Sequence, residues 1–345
     1  MVSSELGKRL AAEGHEVTFV TSSFKGAAPE QETDGYKVIR VGGRFSVYWH
    51  TYRYVRKHLA DWPDVVIEEV NTIPFFSKLY LKKPRYLFFH MLCREIWFHQ
   101  MIFPLSLIGY LAEPIYLRLL KGDPALAVSE STRQDLVRHG FKRKAITVIS
   151  EGIQMLPIET IEGFKKYEEP TLISLGSLRS MKRTLHQLEA FEIAKLSIPT
   201  LKFKISGSAD DKYGKEMLDR IKHSPFAKDI EYLGRVSNEE KQELMQHGHV
   251  IGVTSVKEGW GLIVTEAASQ GTPAVVYDVD GLRDSVRHEE TGLITREHPQ
   301  HMARAIVHLL RDNTMYKALQ RNAHEWSKHI TFEHSYQDFK EAISL

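Results

Sequence analysis

The chain has 345 residues, 42% of them hydrophobic, a formal net charge of +2 and one cysteine, Cys93. That length and apolar content suggest two domains with a core each, and a lone cysteine excludes a disulfide framework or a cysteine-rich zinc site while fitting a reducing compartment. Residues 1–151 carry a net positive charge and the remainder is mildly acidic; with no long basic stripe or nucleic-acid motif, this points away from nucleic acid and toward an anionic surface or acceptor.

Residues 2–14 have Leu6, Leu10 and Ala11 at helical spacing and end at Gly14, ahead of a strand at 16–20. This is a polar helix pattern rather than a signal peptide, so a cytoplasmic location is expected. Strands then read at 37–41, 64–68, 85–90, 125–128 and 146–149, with helices near 51–60, 73–81, 108–120 and 130–139. Strand and helix alternate throughout, which predicts a parallel sheet with helices on both faces and ligands at the carboxyl ends of its strands. His90 stands at such an end, after the apolar run Tyr86 to Phe89.

Residues 95–120 are rich in Trp97, Phe98, Met101, Ile102, Phe103 and Leu105. Two readings stand: a buried helix pair, or an apolar lip that receives a lipid-linked acceptor or rests on the inner membrane face. The apolar run 101–112 contains Pro104 and is far short of the roughly 20 residues of a membrane span. Residues 159–170 are mostly polar and read as a linker.

The second half repeats the alternation. Strands read at 171–175, 202–206, 230–233, 250–256, 273–277 and 292–294, and helices near 184–196, 214–223, 238–246, 262–270, 282–287 and 332–343. Between the strand 250–256 and the helix 262–270 lies Glu258-Gly259-Trp260-Gly261-Leu262, followed by Glu266 in the second helical turn. Glycines here let backbone N–H groups approach a ligand, and a helix N-terminus favours phosphate. Two carboxylates beside such a site suit a ligand carrying both phosphates and hydroxyls, a nucleotide sugar. Taken alone, the pair reads equally as solvated helix-end residues.

The stretch 258–266 resembles the E-x7-E signature of the retaining, family-four glycosyltransferases of GT-B fold. The resemblance extends along the chain, through 4–17, 126–131, 148–153, 176–182, 205–208, 233–236 and 291–293. It implies an α/β protein of two Rossmann-like domains facing a cleft: an acceptor-side domain over 1–158, a linker over 159–170, a nucleotide-sugar-binding domain over 171–328 and a helix over 329–345 crossing back. It also implies a first strand and glycine-rich loop upstream, so that Met1 is an internal start of an incomplete domain. The implied activity is transfer of a sugar from a nucleotide-sugar donor to a glycan or lipid-linked acceptor hydroxyl with retained configuration. No metal or other cofactor is implied.

By the same resemblance His90 orients the donor sugar, Lys182 binds the diphosphate, Glu258 holds sugar hydroxyls and Glu266 accepts the ribose hydroxyls. Backbone groups of Gly259, Trp260, Gly261 and Leu262 assist the diphosphate, and Gly207, Arg235 and Val236 lie in turns facing the base and ribose. Ser177 departs from the pattern, standing where an arginine is usual; Arg179 or Arg183 is left to supply that charge. Asp278-Val279-Asp280 formally matches a metal-binding D-x-D, and His247-Gly248-His249 a metal pair, but both read better as ordinary turns. A nucleotide-sugar epimerase of the same fold and a catalytically weak binding or scaffold protein are the alternatives.

Overall fold

The computed structural model describes residues 2–162 and 164–344. Met1, where an internal start is expected, Gly163 of the expected linker and Leu345 lie outside the described residues.

The protein is α/β, with parallel sheets in both halves. In the second half β8 (Thr171–Leu175), β9 (Lys202–Ser206), β10 (Ile230–Tyr232), β11 (Val250–Val253), β12 (Ala274–Tyr277) and β13 (Gly292–Thr295) form one sheet in the order β10-β9-β8-β11-β12-β13. All its pairings are parallel. Its inner strands β11 and β12 are buried at every residue, which is why they read as unbroken apolar runs.

The first half corrects the expectation of one sheet. β1 (Thr18–Thr21), β2 (Glu30–Thr33) and β3 (Tyr36–Arg40) form a sheet in the order β1-β3-β2, with β2 antiparallel to β3. β4 (Val66–Glu69), β5 (Arg85–Phe89), β6 (Ala125–Ala127) and β7 (Ile146–Val148) form a separate parallel sheet in that order. β1 and β4 are thus terminal strands. The helix Val2–Ala12 touches both sheets: Val2 and Leu6 join Phe88 and Leu126 in one core, and Gly7 lies so close to Phe19 of β1 that a Cβ would sit 2.6 Å from its ring.

Four other elements differ from the sequence reading. β2 is made of polar, solvent-facing residues and carries no apolar pattern, yet its turn is Asp34-Gly35, both at positive φ, a recognised hairpin signal. The helix expected at 73–81 shrinks to a 3-10 turn, Ser77–Leu79. The buried Glu68 carboxylate takes the N–H groups of Phe76 and Ser77 at 2.9 and 3.0 Å, and Phe76 adopts left-handed backbone, which no helix continues through. Two helices, Pro299–Arg311 and Asn313–Ser327, were not read at all; they start at capping His298 and Asp312.

The last helix, Phe332–Ile343, buries Phe332, Tyr336, Phe339 and Ile343 against Val2, Leu6 and Phe88 of the first half. Its start passes over Gly152, where a Cβ would lie 2.3 Å from the Phe332 nitrogen.

Candidate active site

The loops at the carboxyl ends of β8, β9 and β10 are stitched together by their main chains. Gly176 N donates to Ser206 O at 2.9 Å, Leu178 N to Ser208 O at 2.8 Å and Gly207 N to Gly234 O at 2.7 Å. Gly207 has φ +148°, and a Cβ there would sit 1.9 Å from Gly176 O, so no other residue fits. Thr254, at the end of β11, bonds through its hydroxyl to the carbonyls of Lys182 and Arg183, both at 2.9 Å. That anchors the turn carrying Lys182 beside the turn carrying Glu258.

Lys182 Nζ and Glu258 Oε1 are 2.5 Å apart, and Ser255 Oγ donates to the same oxygen at 2.5 Å. Both charged groups line one cleft with Gly176, Ser177, Thr184 and Gln187. The Thr184 hydroxyl and the Gln187 carbonyl oxygen are buried there without a hydrogen-bond partner among the described residues. Gly261, at φ +94°, makes the sharp entry into the helix Leu262–Ser269, whose second turn carries Glu266. Glu266 Oε2 accepts from Lys241 Nζ at 2.6 Å. Each carboxylate of the signature is therefore held by a lysine from elsewhere in the same domain.

The first half meets this site at His90. A Cβ on Gly259 would lie 2.5 Å from His90 O, so the main chains of the two halves pack closely here. The imidazole packs on Phe88, with ring centroids 4.7 Å apart, and its Nδ1 is 3.1 Å from Glu151 Oε1. Glu151 follows β7 as His90 follows β5, so one sheet edge presents both. A second crossing joins His99 Nδ1 and Ser180 Oγ at 3.1 Å, with burial and Arg183 pushing the His99 pKa down.

Other expected residues sit apart from this centre. Trp260 is buried, its Nε1 donating to Thr265 Oγ1 at 3.0 Å, so only its main chain faces the loop. Arg183 pairs with Glu297 at 2.5 Å in left-handed backbone, whereas Arg179 is exposed and makes no ion pair among the described residues. Arg235 is exposed and pairs with Asp210 at 2.8 Å, and Val236 is half-buried beside it. The D-x-D carboxylates are already engaged: Arg283 Nε reaches Asp278 at 2.9 Å and its Nη1 reaches Asp280 at 2.5 Å. His247 Nδ1 bonds to Lys165 O at 2.6 Å, and His249 Nδ1 accepts from Thr171 N at 3.1 Å. Burial and Glu113 push the Cys93 thiol up to about 12, which removes it as a thiolate nucleophile at neutral pH.

Four polar residues of the site escaped the sequence reading: Ser255, Lys241, Glu151 and Lys257. Only Glu151 carried a usable signal, its place at a strand's carboxyl end.

The segment 95–120 fits neither of its two readings entirely. Trp97 is buried on Gly109, where a Cβ would come within 2.4 Å of the indole, and Glu113 is buried accepting the N–H groups of Cys93 and Arg94 at 2.8 and 2.7 Å. The opposite face of the helix Leu105–Leu120 is open: Leu105, Ile108, Leu111, Ile115 and Leu119, three or four residues apart, are exposed beside Ile102 and Phe103.

Residues 159–326 match the family described as Glycosyl transferases group 1, and residues 2–155 that described as Glycosyltransferase Family 4. Both halves of the chain thus match glycosyltransferase families, and the fold is that of the GT-B glycosyltransferases. It is 22% identical over 358 residues to an N-acetyl-alpha-D-glucosaminyl L-malate synthase of Bacillus anthracis, covering 94% of this chain and 87% of that one. It is 30% identical over 161 residues to a poly(glycerol-phosphate) alpha-glucosyltransferase of Bacillus subtilis, 45% of this chain but only 23% of the relative's length. Among solved structures, sucrose-phosphate synthase from Thermosynechococcus elongatus superposes with TM-score 0.77 at 17% identity, over 98% of this chain and 91% of that one. HepE of Anabaena, in complex with UDP-glucose, superposes with TM-score 0.67 at 16% identity, over 89% and 85%. No described helix is long and apolar enough to cross a membrane.

Proposed function

We propose that this chain transfers a sugar from a nucleoside-diphosphate donor to an acceptor hydroxyl with retained anomeric configuration and without a metal. The observation that carries the reading is the Lys182–Glu258 pair, which lines a cleft, with the His90 carbonyl packed against the neighbouring Gly259. The donor's diphosphate draws Lys182 away from Glu258. That exchange frees Glu258 to accept sugar hydroxyls beside the reacting carbon, and Lys182, with the N–H groups after Gly259, stabilises the charge that develops on the leaving diphosphate. Glu266 exchanges Lys241 for the ribose hydroxyls in the same way. The acceptor enters on the face from which the diphosphate departs, and the departing phosphate oxygen takes its proton, so no protein nucleophile is required.

Arg179, unpaired and three residues before Lys182, is the proposed replacement for the arginine absent at Ser177; Arg183 is committed to Glu297. The exposed face of the helix Leu105–Leu120 is proposed to seat the enzyme on the inner membrane surface or to receive a lipid-linked acceptor. Its only charged residues are Glu113, which is buried, and Arg118, which is exposed, so no acid on that face repels an anionic surface.

The test incubates the protein with UDP-, GDP- and ADP-linked sugars, chosen first by thermal shift with the bare diphosphates. Transfer or slow donor hydrolysis that persists in EDTA is the expected result. An epimeric donor would indicate an epimerase, binding without turnover a scaffold, and activity restored only by manganese would overturn the metal-free mechanism.

A further inference from the structure

The residue before Glu258 is a lysine that does not face solvent. Lys257 is 6% exposed, and its ammonium donates to Asp135 on the first-half helix Glu130–Arg138 while lying 3.1 Å from Asp280 Oδ2 in the second half. Asp280 is the hub of the contact. Its other carboxylate oxygen accepts from Arg283 at 2.5 Å, and its carbonyl accepts the backbone N–H of Glu258 at 3.0 Å. Alongside, Asp284 bridges the same two elements, accepting Ser131 N and Gly281 N, each at 3.0 Å.

Burying an ammonium is costly, and its attraction to carboxylates repays the cost only where the geometry is held. Here the geometry exists only while Asp135 and Asp280, on different domains, stay within one lysine's reach. Burial works against the charge on Lys257, but Asp135 and Asp280 more than offset it and raise its pKa above the usual lysine value. An apolar residue would fill the same space at less cost, so what the lysine adds is orientation rather than stability. The D-x-D motif thereby gains a use: Asp280 links the pin to the main chain of Glu258.

We propose that Lys257 is a positioning residue, pinning the first domain through Asp135 and setting Glu258, through Asp280, so that Glu258 and His90 address one donor sugar. The inference rests on the reading of Glu258 as the group that holds that sugar. Lys257 itself touches no substrate.

The test compares the full chain with its Lys257→Met, Lys257→Arg and Asp135→Asn variants. It measures kcat and KM for the donor sugar identified above, calorimetric affinity for the bare nucleoside diphosphate, and small-angle scattering. Lys257→Met and Asp135→Asn should each lower kcat by about tenfold or more, and the double variant should lose little beyond either, since both remove one interaction. Nucleoside-diphosphate affinity should stay within about twofold, because Lys182 and Glu266 do not depend on the first domain. Lys257→Arg should recover most of the loss. Unchanged kcat in Lys257→Met, or a fall in diphosphate affinity that parallels kcat, would overturn the proposal. Scattering reads the pin even if the parent chain transfers no sugar: a broader distribution of domain separations in Lys257→Met supports it, and superimposable profiles refute it.

Discussion

The proposal gives Glu258 and Glu266 different replacements for their lysines, sugar hydroxyls and ribose hydroxyls, and single substitutions separate them. Glu266→Gln keeps the size and one acceptor but loses the charge, and should weaken nucleoside-diphosphate binding by about 1.5 to 3 kcal/mol while leaving the fold intact. Calorimetry that finds equal affinity would remove Glu266 from the ribose. Glu258→Ala should instead reduce transfer roughly 10- to 100-fold with little change in affinity for the bare diphosphate, because its proposed partner is the sugar. Glu151 belongs to the same scale: Nδ1 of His90 is 3.1 Å from its carboxylate, which fixes the orientation of the ring. Glu151→Gln should preserve nucleotide affinity and lower kcat, and a shifted pH–rate profile would distinguish this from simple loss of packing.

Among the elements, the loops at the strand ends tolerate the least change. Gly207→Ala would drive a methyl into Gly176 O in a backbone conformation that alanine avoids, so the expected outcome is a marked fall in melting temperature together with loss of nucleotide binding. The helix Leu105–Leu120 behaves oppositely, since about half of its apolar side chains are exposed. The double variant Ile108→Glu, Ile115→Glu should melt near the parent temperature yet fail to sediment with anionic lipid vesicles. Equal sedimentation of variant and parent would leave the face without a lipid role.

Across the whole molecule, acid sensitivity has an identifiable source in the second domain. Burial, with Lys166 nearby, pushes His249 down to about 4, and its Nδ1 accepts the Thr171 N–H, a bond the neutral ring alone can make. Unfolded, the same side chain titrates near 6.5. Because the folded value is the lower one, its contribution is complete above about pH 6.5 and is lost as pH falls toward 4, amounting to about 3 kcal/mol. Denaturant unfolding of His249→Gln at pH 7 and pH 4.5 should show a smaller acid loss than the parent; parallel losses would place the sensitivity elsewhere.

Residue order alone determined the alternation of strand and helix, the parallel sheets and the turn bearing Glu258 ahead of Glu266, because each is written in short-range periodicity, glycine placement and contiguous apolar runs. It also marked His90, whose place after Phe89 is a local fact. Tertiary structure decided what local pattern does not encode. The split of the first-half strands into two sheets depends on which strands pair, and the loss of the helix at 73–81 on a carboxylate several residues upstream taking its N–H groups. The lysines that hold Glu258 and Glu266 come from 76 and 25 residues away, and Asp135 meets Lys257 across 122 residues. Such pairs form only when folding brings distant loops of one domain together or, for Asp135 and Lys257, when the two halves meet, and charge attraction between residues so far apart leaves no period in the chain for a reader to find.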